Sequence, residues 1–130
     1  MDTSVWSLAF RRDIPSPEPQ VRELVHCLQN GQSVFTTGLV LQELLQGFSG
    51  PKARTQIVDR FSALPLLLPD RSDHIDAADL RNRCRRAGVQ IGTIDGLLAQ
   101  LCIRHNLLML TTDHDFEKMS RHSNLKVWQP

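Results

Sequence analysis

The sequence predicts an α/β fold, a mainly parallel sheet with helices on both faces, in a single domain over residues 1–130. Three observations carry this expectation. Short apolar runs of strand length alternate along the chain with segments whose apolar residues recur at helical spacing. The run at 107–110 follows directly on such a helical segment and contains no polar residue, as expected of a parallel strand covered on both faces. Turn-forming residues fall between these segments, and there is no internal repeat, low-complexity tract or linker.

A chain of 130 residues suffices for one domain with a real core and is too short for two ordinary ones. Its 41% hydrophobic and 22% charged residues are globular proportions. The most apolar stretch, 63–68, is far too short to cross a bilayer and is interrupted by Pro65. Met1 is followed by Asp2, Thr3 and Ser4 rather than by a basic and then an apolar segment, so no secretory leader is expected. Cys27, Cys84 and Cys102 are odd in number and scattered within helical patterns, which fits reduced, buried thiols in a cytoplasmic protein. A net charge of +1 gives no global attraction to nucleic acid or membrane, so any basic footprint must be local.

The elements follow in order. Residues 2–10 open with an acid and hydroxyls and then turn apolar, and Trp6 in that run is a core residue rather than a base-stacking one. Three prolines at alternate positions make 14–19 an extended loop. Val21, Leu24, Val25 and Leu28 mark a helix that Asn30 and Gly31 stop. Residues 33–36 are a strand candidate, Thr37 a cap, and 39–47 a helix with Val40, Leu44 and Leu45 on one side. Pro51 suits a first helical position, Ile57, Val58 and Phe61 form the next stripe, and 64–68 is a candidate buried strand. Residues 72–88 carry acids early, arginines late and Gly88 at the end, which complements a helix dipole. Ala77, Leu80, Cys84 and Ala87 form its inner face, which would turn the arginines outward. Thr93 is the expected cap of a buried amphipathic helix bearing Ile94, Leu97, Leu98 and Leu101, and Asn106 its stop. A short helix at 116–119 and an edge strand at 125–128 close the chain.

Chemistry is concentrated in 91–116. Asp95 falls in the first turn of its helix, and Asp113 at the carboxyl end of the strand that follows, the edge where ligands bind in open α/β sheets. Asp2 and Glu43 each adjoin or lie on an element that could end at the same edge. If the four carboxylates converge, each pair about 5 Å apart repels by roughly 3 kcal/mol at an effective dielectric near 20. Such a cluster must protonate in part or bind a hard cation. An all-oxygen donor set selects Mg²⁺, or Mn²⁺ in its place, over Zn²⁺, and His26, His74, His105, His114 and His122 show no zinc spacing. A carboxylate-held divalent ion suits phosphodiester hydrolysis, since it acidifies a bound water and offsets charge on the phosphate.

At this point the sequence resembles the PIN domain family, and within it the VapC-type toxins of bacterial toxin–antitoxin pairs. DTSVW at 2–6, LQELLQG around Glu43, GTIDGLLAQL around Asp95 and LTTDHDF around Asp113 fall in that family's order, and the resemblance covers essentially the whole chain. It implies a PIN-like three-layer sandwich and a metal-dependent endoribonuclease with Asp2, Glu43, Asp95 and Asp113 as its acidic quartet. It also implies a homodimer, silenced by a cognate antitoxin. Asp2, Asp95 and Asp113 would hold the metal, Glu43 would bind it or orient the attacking water, Asp115 could assist, and Ser4 would support the site from behind. In that family the first acid follows a central apolar strand, so residues preceding Met1 are expected in the native protein.

Ordinary explanations stand beside these. Taken alone, Asp95 and Asp113 read as a helix-start charge and a turn residue, and Asp115 as the N-cap of the helix at Phe116. Arg81, Arg83, Arg85 and Arg86 form either a solvated helix face or a track for an RNA backbone. Two other functions use the same residues: a structure-specific DNA nuclease, and a PIN-like module that binds RNA or protein without cutting. A dehalogenase-type phosphatase would need a second acid where Ser4 stands.

Overall fold

Local chemistry sets the helix ends in the computed structural model, which describes residues 3–10 and 18–130. The chain divides into two compact units, Met1–Leu67 with Pro130, and Leu68–Gln129. Asp2 and most of the expected proline loop, 14–17, lie outside the described residues; Pro19 belongs to a helix.

The first unit holds α1 (Thr3–Ala9), α2 (Pro19–Gln29), β1 (Thr36–Thr37), α3 (Gly38–Gly47), α4 (Pro51–Ser62) and β2 (Leu66–Leu67). Pro19 and Pro51 occupy the first turns of α2 and α4, where the missing N–H costs nothing and the fixed φ favours the helix. Thr37 caps α3, its Oγ1 accepting from Val40 N at 3.2 Å. Asn30 and Gly31 end α2, with Gly31 at φ +66°. The buried stripes are Val21 and Leu24, Val40 and Leu44, and Ile57 and Phe61. Val5 and Trp6 of α1 complete this core, the indole centroid lying 4.8 Å from that of Phe61 and 6.0 Å from that of Phe10. Strand β1 pairs parallel with β2, Thr36 opposite Leu66 and Thr37 opposite Leu67. The expected buried strand at 64–68 is corrected to these two residues, and Leu66 is 40% exposed. Pro65 has no N–H to extend the ladder, although its carbonyl accepts from Thr36 N at 3.2 Å.

The second unit holds α5 (Arg71–Arg86), α6 (Thr93–Arg104), β3 (Leu108–Met109), α7 (His114–Ser120) and β4 (Lys126–Val127). Helix α5 starts on a reciprocal capping box. Asp70 Oδ1 accepts from Asp73 N, and Asp73 Oδ2 accepts from Asp70 N, both at 2.9 Å. Asp73, Ala77, Leu80 and Cys84 are its buried face, whereas Ala87, expected inside, is the exposed C-cap. This face packs against α6, which is buried without a break from Gly96 to Cys102 and is therefore more enveloped than an amphipathic surface helix. Arg104 at the end of α6 returns to the start of α5, its Nε 2.8 Å from Asp73 Oδ1. That contact is electrostatic rather than a directed hydrogen bond, since Oδ1 accepts no aligned N–H. Asn106, at φ +52°, stops α6 as expected. Strand β3 pairs parallel with β4, Leu108 opposite Lys126 and Met109 opposite Val127. Met109 is fully buried but Leu108 is 53% exposed, so the strand is not covered on both faces as its unbroken apolar run suggested. Both ladders are parallel, as the α/β class requires. No helix among the described residues is long and apolar enough to cross a membrane.

Candidate active site

Asp95 is the third residue of α6 and is half-buried. Its carboxylate therefore lies in the turn whose backbone N–H groups lack helical partners and whose dipole favours negative charge. The N-cap is Gly92 rather than Thr93. Gly92 takes the extended conformation, its carbonyl accepts from Gly96 N at 3.0 Å, and Thr93 becomes the first helical residue without a side-chain cap bond.

Asp113 is held at both of its ends. Its Oδ1 accepts from Asp115 N at 2.9 Å, which makes Asp113 the N-cap of α7, and its own N–H donates to Thr111 Oγ1 at 2.9 Å. The expected cap, Asp115, is instead a first-turn residue 3.8 Å from Lys118 Nζ. Thr111, buried just ahead of Asp113, is a positioning residue that the sequence reading passed over; a hydroxyl two residues before an aspartate was the available signal. His114, between the two acids, is almost fully exposed and lies 3.8 Å from Glu117.

Glu43 is exposed on α3 of the first unit, and Ser4 is half-buried on α1. Among the described residues no three His, Cys, Asp or Glu side chains form a group able to hold a metal ion. Asp2 is not among those residues. The fit to a divalent cation is one of donor chemistry: Asp95 and Asp113 offer hard carboxylate oxygens, and the cap at α7 uses only one oxygen of Asp113. A thiol nucleophile is disfavoured. None of the three cysteines is in a disulfide, and burial pushes the Cys84 thiol up; Cys27 is raised too, by burial and then by its bond to Glu23.

The arginines separate. Arg83, Arg85 and Arg86 are exposed in the last turn of α5. Arg81, expected to face outward, is turned in: its Nε donates to the Ile91 carbonyl at 2.8 Å. Its stem crosses Gly96, where an added Cβ would lie 2.7 Å from Arg81 Cγ and 2.9 Å from Cδ. The bare backbone of Gly96 lets Arg81 tie α5 to the loop that delivers Asp95.

A family model described as PIN domain matches residues 1–122, a span that includes Asp2, Glu43, Asp95, Asp113 and Asp115. The chain belongs to the PIN domain family. This PIN domain is 30% identical over 129 residues to VapC ribonuclease Mb1587 of Mycobacterium bovis and, to the same degree, to Ribonuclease VapC11 of Mycobacterium tuberculosis. Those alignments cover 98% of this chain and 95% of each relative. Among solved structures it is similar to VapBC2 from Rickettsia felis, crystallised with a DNA fragment from the promoter. The TM-score is 0.72 at 21% identity, over 98% of this chain and 96% of that one. That likeness establishes the PIN-like α/β fold.

Proposed function

We propose that this PIN domain, a single domain over residues 1–130, is the toxin of a toxin–antitoxin pair and hydrolyses RNA phosphodiester bonds as a metal-dependent endoribonuclease. The observation that carries the reading is the placement of Asp95 in the first turn of α6 and Asp113 at the N-cap of α7, in a chain 30% identical to VapC ribonucleases along almost its full length. Asp2, Asp95 and Asp113 hold Mg²⁺, for which Mn²⁺ substitutes, and Glu43 binds it or orients the attacking water. Asp115 is a candidate further ligand, and Ser4 supports the site from behind. When bound, the ion supplies an acidified water and offsets charge on the phosphate. The chain's own contribution is to aim its carboxylates. The α6 dipole favours the charged form of Asp95, while Thr111 and the Asp115 N–H fix the backbone and one oxygen of Asp113.

The partners in this reading are RNA, a cognate antitoxin and a second copy of the chain. Likeness to the VapBC2 assembly supports the antitoxin. Val25 on α2 and Val58 on α4, both left exposed, support the homodimer. That Cys27, Cys84 and Cys102 form no disulfide supports a cytoplasmic location. The test is digestion of RNA and DNA substrates in parallel, with and without EDTA. RNA cleavage restored by Mg²⁺ is expected. Cleavage of DNA alone would replace the ribonuclease reading with a DNA nuclease, and binding without cleavage would replace it with a non-catalytic module.

A further inference from the structure

Arg81 and Arg85 stand one turn apart on α5, and with Gln90 and Ile91 they line a cleft of about 220 Å³. Its donors are two guanidinium groups and an amide. Among the described residues no carboxylate lies within ion-pair distance of either arginine. Like charges one turn apart on a helix disfavour each other, and an anion between them reverses that repulsion. The volume falls below the roughly 300–1,000 Å³ of small-molecule pockets, so the cleft suits one charged group with its water rather than a whole nucleotide. Arg81 spends Nε on the Ile91 carbonyl, which leaves its terminal nitrogens as donors. Ile91 lies four residues before Asp95, so an anion here rests on the loop that leads into the first turn of α6.

We infer that this cleft is a subsite for one phosphate of the RNA backbone other than the one being cut. The inference rests on the ribonuclease reading above and names where that substrate is held. It also divides the late arginines of α5, since Arg81 and Arg85 line the cleft and Arg86 does not. A carboxylate from a protein partner has less to recommend it, because the cleft adjoins the loop of a candidate catalytic acid.

The test measures binding of a fluorescent oligoribonucleotide to the Asp113→Asn protein across a salt series. For single strands the slope of log affinity against log salt is about −0.7 per phosphate contact. Adding Arg85→Gln is expected to weaken binding several-fold and reduce the slope by about 0.7, Arg85→Lys to restore the slope, and Arg71→Gln, at the far end of the helix, to change neither. If the unmodified protein cuts RNA but Arg85→Gln leaves the slope as it was, the subsite is wrong and the ribonuclease reading survives. If the protein neither binds nor cuts RNA, both are wrong. An unchanged RNA slope with lost binding of poly-glutamate would assign the cleft to a protein partner and overturn the inference.

Discussion

Asp113 caps α7 and is proposed to hold the metal, two roles that substitution can separate. Asn caps helices about as well as Asp, whereas Ala costs roughly 1 kcal/mol at an N-cap. Asp113→Asn is therefore expected to keep the unfolding midpoint and lose RNA cleavage, and Asp113→Ala to lose both; urea denaturation beside a cleavage assay separates them. The position of Asp113 between strand and helix was legible in the sequence, but its capping role was not, since Asp115 reads as the cap. Both acids precede or begin the same helix, and only the backbone decides which one accepts the N–H. Gly96 was not legible at all, because its reason is the stem of Arg81 on another helix. Replacing it by Ala gains about 1 kcal/mol of helix propensity but forces an overpacked contact of about 1–3 kcal/mol. Since Arg81 is pinned to Ile91, Gly96→Ala is expected to lower the midpoint and to reduce cleavage further than the stability loss explains. A raised midpoint would show that Arg81 swings aside freely.

At the scale of elements, α5 and α6 are joined by the ion pair of Arg104 with Asp73, whose side chain is fully buried while that of Arg104 is 38% exposed. The two halves should respond unequally. Arg104→Met strands a buried carboxylate and is expected to cost about 3 kcal/mol, whereas Asp73→Asn leaves a half-solvated guanidinium and costs about 1 kcal/mol. Chemical denaturation of the two variants checks the order. The same helix start gives an acid sensitivity. The Asp73 N–H holds the Asp70 carboxyl below its ordinary value; desolvation opposes it, and Arg104 adds a lesser lowering. A lowered folded value means that the stabilisation is present above the unfolded carboxylate pKa and is lost as pH falls through the folded one. Thermal midpoints should therefore drop in acid below the ordinary carboxylate range, and Asp70→Asn should flatten that drop. The helix stops at Asn30, Gly31 and Asn106 and the start at Pro51 were legible because such residues act locally, whereas the N-caps of α6 and α7 fell on Gly92 and Asp113 rather than on Thr93 and Asp115. Strand cover was not, since an apolar run names its apolar positions but not what lies over them, as Leu66 and Leu108 show.

For the molecule as a whole, parallel pairing and the α/β class followed from the alternation of element types, while the ladders β1 with β2 and β3 with β4 depend on partners about 20 to 30 residues apart that periodicity does not identify. The proposed site likewise draws on residues far apart in sequence, of which Asp95 lies in the first turn of α6 and Asp113 at the N-cap of α7. The most direct measurement is RNA cleavage by the purified protein and by its Asp95→Asn variant, with circular dichroism on both. The account predicts Mg²⁺-dependent cleavage by the first, abolished by EDTA, and at least a hundredfold loss in a variant that keeps its fold, on the order expected when a key group of a metal-assisted hydrolysis is removed. A folded Asp95→Asn protein that cuts RNA at the original rate would contradict it.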